Sequence, residues 1–541
     1  MGAIDDEAIT LPGGVVRLSV AESDTRYGAR YGTGGLRPLG SDLTFDSLGA
    51  RELPILAPLQ SALRALTQDP TLGVSLGATH VTSSVRIAVT PVGLDIGIAR
   101  WLELHAVVPI VRTHNEILFN PNPGGTTGNV GINPALAFGA TRAIDTALFG
   151  QFSAAGASLQ SALAACRANP GAHSYCGSLD AQSAAATALL AQSSAFASNL
   201  ARVYGGGGRA PALIVPTDGS PVLAAIAQRI QGLAASYAHF DSLTGGPGIT
   251  GPGPIGAPPI GLADAQALIT SDALGLRYDS LHSVDLAGLG DIELGATALL
   301  LDSFHGRDSA RFHPHGFNYR LALTGLFRLG TGTPTSPDAL VGVGTGTGTN
   351  AVEVHVATDV LIGRHFWTSI IARGTQPLYD QVTARIPLGL GNAFAPYFTR
   401  QTVGRQLGRL IDVELDPRYA LNDYVGLVAQ YRYRRKDADQ YTGTFSLDSA
   451  ATGFGPVTLD ARLLGAGTAT TEQRWGVGLT FSTLAGAARH RSRIPFDVSY
   501  LHYQTLTGSA GSYAVLPRIG FDEIQLRLYL RLLGHGGAFK R

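Results

Sequence analysis

The sequence predicts an all-β transmembrane barrel of about twelve antiparallel strands that carries a large α-helical loop insertion. Three observations carry that expectation. In Phe521 to Leu532, FDEIQLRLYLRL, the aliphatic residues Ile524, Leu526, Leu528, Leu530 and Leu532 share one face, while Glu523, Gln525, Arg527, Tyr529 and Arg531 share the other. A period of two is a strand, and branched aliphatics backed by long charged groups suit a wall between hydrocarbon and a wet lumen. The same alternation recurs along much of the chain. Its connections also alternate: tight at Arg100, 363–365 and 422–423, long at 22–80, 112–289, 331–350, 376–409 and 435–470. Short turns on one rim and long loops on the other are how bacterial barrels are built.

At 541 residues a soluble reading requires several domains, whereas a barrel with long loops uses the length in one. No window of roughly 20 consecutive apolar residues occurs, which excludes a membrane protein built of helices but not one built of strands. Charged residues are 15% of the chain and formal net charge is zero, so no bulk field draws nucleic acid and no such partner is expected. The opening MGAIDDEAITLPGG has neither the basic start nor the apolar run of a secretory signal, so for an outer-membrane protein a removed leader is expected. Cys166 and Cys176 lie in one insertion; a reduced pair and a disulfide both fit, and an oxidising compartment favours the disulfide.

Taken in order, Gly14 to Ala21 is a short first strand. Asp46 to Gln68 reads as a helix, with Leu56, Leu59, Leu63 and Leu66 at helical spacing. From Val81, the residues Val85, Ile87 and Val89 oppose Arg86 and Thr90, and the apolar phase then moves at Pro91 to Val92, Leu94, Ile96 and Ile98. That slip predicts a bulge inside one long strand. One tight turn later, Leu102, Leu104, Ala106, Val108 and Ile110 oppose Glu103 and His105.

The chain divides into 1–111, the first strands with a helical loop, 112–288, an insertion that caps or plugs the barrel, and 289–541, the remaining strands. Within the insertion, Ala143 to Tyr204 predicts two helices meeting at an ANPGAHSYCG turn that the cysteines flank, and Pro221 to Asp241 predicts another helix. Gly245 to Gly261 predicts an extended linker. Beyond it, apolar faces oppose Asp291 and Glu293, then Arg320 and Arg328, then Glu353, His355 and Asp359. Phe366 to Thr375 is a less regular partner. The series continues with Asp412, Glu414 and Asp416 on one strand, Gln430, Arg432 and Arg434 on the next, then Arg474, then Asp497 and Ser499, and closes at the terminal strand.

PVGLDIGIARWLELHAVVPIV (91–111), LGDIELGATALLL (289–301) and RLGTGTPTSPD (328–338) resemble the outer-membrane β-barrel transporter family that includes phenol-degradation MetA-pathway proteins. The resemblance covers the strands and not the insertion. It implies passage or binding of small, often apolar compounds in the bacterial outer membrane. The chain departs from the family in the size of its insertion and in ending GHGGAFKR, with Phe539 near the end where barrels finish on an aromatic.

Other motifs read as structural. Gly73 to Gly77 matches GxSxG, but a helix precedes it and a strand follows, the reverse of a nucleophile elbow. Gly342 to Gly348, GVGTGTG, precedes a strand instead of opening a helix, so it reads as a loop. His305, His313 and His315 share one turn without a cysteine or patterned carboxylate, and no metal site is assigned. Ser499 and His502 fall on opposite faces of their strand, which counts against a lipase-type pair.

The expected lumen-lining set is Glu103, His105, Asp291, Glu293, Arg320, Arg328, Glu353, His355, Asp359, Asp412, Glu414, Gln430, Arg432, Arg434, Arg474, Glu523, Gln525, Arg527 and Arg531. Cross-strand ion pairs that fill a narrow lumen and a polar conduction path both fit these residues. The sequence therefore predicts a monomeric passive channel or binding protein, without catalytic residues or cofactor. Its partners are outer-membrane lipid, the barrel-assembly machinery and a small-molecule solute. A structural or surface-assembly protein with a sealed lumen is the second reading and a membrane-embedded lipase the third.

Overall fold

The structure is a computed structural model that describes residues 7–205, 212–304, 315–452, 455–484 and 495–531. Its strands are β1 (Val15–Tyr27), β2 (Thr79–Ala99), β3 (Leu102–Pro121), β4 (Ile292–Asp302), β5 (Phe317–Leu329), β6 (Ala351–Ile362), β7 (Phe366–Pro377), β8 (Leu410–Ala420), β9 (Val425–Lys436), β10 (Thr470–Ser482), β11 (Phe496–Ala510) and β12 (Gly520–Arg531). Each pairs antiparallel with its neighbours in sequence, and β1 pairs with β12, so the twelve close into a barrel. A further strand, Val284–Leu289, continues β4 upward and pairs with the same neighbour, β3, after a one-residue change of register at Gly290 and Asp291. Closure leaves no unpaired strand edge, the condition for placing sheet in hydrocarbon. Among the described residues no helix is long and apolar enough to cross a membrane.

The outer face is aliphatic. Val352, Val354, Val356 and Ile362 of β6, Ile411, Val413 and Leu415 of β8, and Ile524, Leu526 and Leu530 of β12 are all exposed. From Val352 to Ile362 is a height of roughly 25 Å for tilted strands, the thickness of an outer-membrane hydrocarbon layer. Trp101, Phe317, Tyr319, Phe366, Tyr419 and Tyr424 are exposed around the short-turn rim, where amphipathic rings meet the membrane interface.

No bulge occurs at Pro91. β2 and β3 stay in register from Thr79–Pro121 through Pro91–Pro109 to Gly97–Glu103, and the irregularity falls between Gly97 and Ala99. Odd-numbered residues of β2 face inward throughout: Val81 and Val85 are buried above Pro91, Asp95 below it. What changes is the surroundings. Below Pro91 the apolar medium is outside the wall, and Val92, Leu94 and Ile98 are exposed to it. Above Pro91 the apolar medium is inside, and the outer face carries Arg86, Arg112, His114 and Glu116 instead. Arg86 pairs there with Asp24 of β1 at 2.6 Å. β3 accordingly runs on to Pro121, so the insertion begins ten residues later than the polarity pattern alone placed it, at 122 instead of 112.

The long loops gather over the opposite rim, at the tops of β2 and β3. The helices are α1 (Ala57–Thr67), α2 (Gly139–Ala168), α3 (Cys176–Ala181), α4 (Ser183–Tyr204), α5 (Pro221–Thr244) and α6 (Leu262–Thr270). α1 starts later than its leucine spacing suggests, because Pro54 opens a 3-10 turn ahead of it and Pro58 suits only the first turn of a helix. Leu59 and Leu63 of α1, Phe152 and Leu159 of α2, Phe196 and Leu200 of α4, and Ile226 and Ile230 of α5 form one core with Val81 and Ile117 from the strand tops. The insertion is therefore a roof continuous with the wall. Gly73 to Gly77 is an extended stretch bridged to Gly49, and the GVGTGTG run is a loop.

Cys166 and Cys176 form a disulfide across the tip of the α2–α4 hairpin. Reduction is expected to cost the hairpin roughly 2–3 kcal/mol for so short a loop. It would be read as faster amide exchange at the Cys166 end of α2 with exchange in the barrel strands unchanged.

Candidate functional site

The lumen is built from the alternate, inward-facing residues of every strand, and most of its charges pair across neighbouring strands. Arg320 of β5 meets Asp359 of β6 at 2.9 Å, with neither side chain more than 3% exposed. Arg328 spans Glu293 at 2.7 Å and Glu353 at 3.5 Å, and Glu353 also accepts from Thr375 at 2.7 Å and faces His355 at 3.5 Å. Asp412 accepts from both Arg432 at 2.9 Å and Arg434 at 2.7 Å. Glu414 accepts from Arg373 and from Gln430, each at 2.8 Å. Arg474 donates to Glu472 at 3.1 Å, and Arg527 lies 3.6 Å from Asp497. Glu523 and Gln525 are buried on the same inner face of β12.

Some residues of the expected set sit elsewhere. Asp291 lies at the register change above β4 and accepts from the backbone N–H groups of Gly332 and Thr347, which pins the glycine-rich loop 330–350. His105, by contrast, shares the inner face of β3 with Glu103 and lies against Gly295, where a Cβ would come within 2.2 Å of its Nε2. The side chain of Arg531, with His305, His313 and Phe539, falls outside the described residues. Ser499 is buried inward while His502 is exposed outward and hydrogen-bonds Asp522 at 2.9 Å, so the two are on opposite faces.

Sequence reasoning missed one half of the arrangement: a segment inside the barrel. Glu7 to Gly14, ahead of β1, enters the lumen from the short-turn rim. The Glu7 carboxylate pairs with Arg418 of β8, and Ala8, fully buried, packs in a niche of Ala322, Ala357 and Ile371. Thr10 Oγ1 donates to the Arg100 carbonyl at 2.7 Å, and the Leu11 N–H donates to Glu103 Oε2 at 2.7 Å. Arg17 steadies that acceptor, donating to Glu103 at 3.1 Å and to Asp95 at 2.8 Å. Gly97 makes the room, because a Cβ there would stand 2.2 Å from the Pro12 carbonyl oxygen. Small inward residues among charged ones, Gly97, Ala322 and Ala357, were the available signal.

The aliphatic outer band, the closed ring of twelve strands and the charged interior agree on one object. The chain is a transmembrane β-barrel. No protein-family model matches it, and no curated protein does. Among solved structures it is similar to an outer-membrane channel from Pseudomonas putida F1, at 8% identity over 98% of this chain and 100% of that one, with a TM-score of 0.41. It is also similar to the transport unit of the autotransporter AIDA-I from Escherichia coli, at 5% identity over 98% and 92%, TM-score 0.32. A third is the P. putida toluene transporter TodX, at 10% identity over 98% and 94%, TM-score 0.24. The barrel rests on its own strand pairing, not on these likenesses.

The roof of the barrel is held by Arg385, on a short strand (Asp380–Arg385) of the β7–β8 loop. Its guanidinium donates to Asp338 at 2.7 Å and to the carbonyls of Arg277 at 2.7 Å and Ala395 at 3.0 Å, and lies over the Tyr278 ring at 3.8 Å. Three loops meet on that one cation.

Asp145 of α2 ties the linker to the helices by accepting from the Ile255 N–H at 3.4 Å, and burial pushes its carboxyl up to about 6. A carboxyl whose folded value lies above its unfolded one contributes stability that is complete below about 3.9 and is lost as pH rises through the folded value. Asp145→Asn is therefore expected to flatten the pH dependence of roof stability between about 4 and 6 and to stabilise the roof at neutral pH by ~1–3 kcal/mol. Urea unfolding of the roof followed at several pH values checks both.

Proposed function

We propose that the barrel is a closed, openable passage in the bacterial outer membrane for small molecules, chiefly apolar ones, and has no catalytic role. The observation that carries this reading is that a segment outside the strand pairing lies inside the lumen. Among the described residues, Glu7 to Gly14 joins the wall through β1 and is held by an ion pair, a few hydrogen bonds and the packing of Ala8, none of them strand pairing, so it can leave without unpairing a strand. The apolar class is supported by the aliphatic and aromatic side chains, Leu76, Phe119 and Phe394, that the roof gathers over the mouth. Full burial of Asp359 and Glu414 favours a second reading, a sealed structural barrel, in this closed state.

Conductance and liposome swelling separate the two. The intact chain is expected to conduct little, and a chain lacking residues 7–12 to conduct severalfold more while keeping its heat-dependent gel shift. Glu7→Gln falls between them, since it keeps the length but loses the charge facing Arg418. A truncated chain that folds and still passes nothing would establish the sealed, structural reading.

A further inference from the structure

We propose that Arg409 and Arg435 form a binding site for the phosphate of an outer-leaflet lipid, on the outer face of the wall where β8 and β9 meet their loops. The site does not depend on whether the lumen opens. β8 and β9 pair Ile411 with Arg435 and Leu410 with Lys436, and the ladder continues with Arg409 opposite Asp437, whose N–H donates to the Arg409 carbonyl at 2.9 Å. Ile411 faces the hydrocarbon, so Arg435 across from it faces outward, and Arg409 and Asp437, one alternation higher, do too. Arg409 stands about ten residues above Tyr419 and Arg435 about eleven above Tyr424, the exposed rings of the short-turn rim, which is roughly 25–28 Å at barrel tilt. That spans the aliphatic band, so both guanidiniums stand level with the outer headgroups.

The charge there selects an anion. The Nε atoms of Arg409 and Arg435 each lie 3.6 Å from a different oxygen of Asp437. That is too far for a hydrogen bond. Among the described residues neither guanidinium donates to any other acceptor, and both side chains are more than half exposed, at 59% and 62%. Two cations thus share one carboxylate, and the trio is net positive. A phosphate can accept from both forks at once, at the shorter distances of charge-assisted bonds. A lipid suits the position better than a free anion, because the surface directly below is apolar: Tyr431, Val413 and Leu415 are exposed there and can take an acyl chain.

The backbone around the two arginines is braced. Asp439 Oδ1 accepts from the Gly408 N–H at 2.7 Å and from Lys436 Nζ at 2.6 Å, and the Asp439 N–H donates to Thr468 Oγ1 at 2.7 Å. Gly408 allows the close approach, since a Cβ there would stand 1.9 Å from the Asp437 carbonyl oxygen. Lys436 is committed to that brace, which leaves the anion to the arginines. Only their side chains have to settle on it, and this limits the ordering cost of binding.

Native mass spectrometry of the full chain in detergent micelles, titrated with diphosphoryl lipid A, provides the test. Wild type is expected to retain a single lipid A saturably and to hold the dephosphorylated form far more weakly. Arg409→Gln combined with Arg435→Gln is expected to weaken retention about tenfold or more, because charge-assisted donors are lost. Asp437→Asn is expected to tighten it, because the competing carboxylate is gone. A trio that only holds the loop together predicts the reverse for Asp437→Asn, since the arginines would then lose what gathers them. None of the three side chains is buried, so the heat-dependent gel shift is expected to survive each change. Equal retention of the phosphorylated and dephosphorylated lipids, undiminished retention by a folded double variant, or weaker retention by Asp437→Asn would overturn the assignment. Displacement of the lipid by an equal concentration of inorganic phosphate would overturn it as well, since a free anion would then be the ligand.

Discussion

Replacing Asp359 with alanine is expected to destabilise the barrel by about 3–5 kcal/mol and to raise its leak conductance in the same experiment. Asp359 is fully buried and takes hydrogen bonds from Arg320 at 2.9 Å and Ser369 at 2.8 Å. Its removal strands a guanidinium in a place water does not reach, and breaking one partner of a buried pair is far costlier than removing both. The double replacement Arg320→Met with Asp359→Leu should therefore recover most of the loss. The leak has a separate origin, since the carboxylate stands beside Ala8 and so helps to seat the closing segment. Urea titration in vesicles measures the first effect and planar-bilayer recording the second. A single variant as stable as the double, or a destabilised one that stays closed, would contradict the account of the lumen.

Arg385→Ala is expected to open the roof and spare the wall. The substitution takes from the Leu276 and Arg277 carbonyls their only donor among the described residues, and one donor each from the Ala395 carbonyl, which keeps the Tyr278 hydroxyl, and the Asp338 carboxylate, which keeps Arg400 at 3.6 Å, in a place where Arg385 is 4% exposed. Unsatisfied buried acceptors cost about 1–3 kcal/mol each, and partial relaxation should leave a net loss of roughly 3–5 kcal/mol. Lysine does not substitute, because a point charge cannot reach carboxylate and carbonyls on several sides while stacking on Tyr278. Limited proteolysis should cut the variant within 262–283 or 378–409 at protease levels that leave wild type whole, while the barrel keeps its heat-dependent gel shift.

The wall was legible because each strand obeys one local rule. Val352 to Ile362 and Ile524 to Leu530 alternate between hydrocarbon and lumen, and no distant residue is needed to recognise them. Pro91 shows where the rule misleads: the side-chain period never slipped, but the apolar medium changed sides, and polarity alone cannot tell a shift of phase from a shift of surroundings. Arg17, Asp95 and Arg373 were overlooked because each stands among apolar or small neighbours, where one charge breaks a pattern without starting another. Glu7 to Gly14 had no periodicity at all, and its place is set by contacts some hundreds of residues away, at Ala322, Ala357 and Arg418. α6 escaped notice for want of length, at nine residues after a Pro/Gly run.

The unbroken pairing of β2 with β3 above Pro91 and Pro109 fixes an altitude. Twelve residues from Pro91 to Thr79 rise roughly 30 Å at the tilt of barrel strands. A lipid headgroup zone adds only about 5–7 Å beyond the hydrocarbon. The hairpin is a mast, and what it carries stands well beyond the headgroup zone. On the passage reading proposed above, an oily compound would meet the chain before it has to cross the layer most hostile to it.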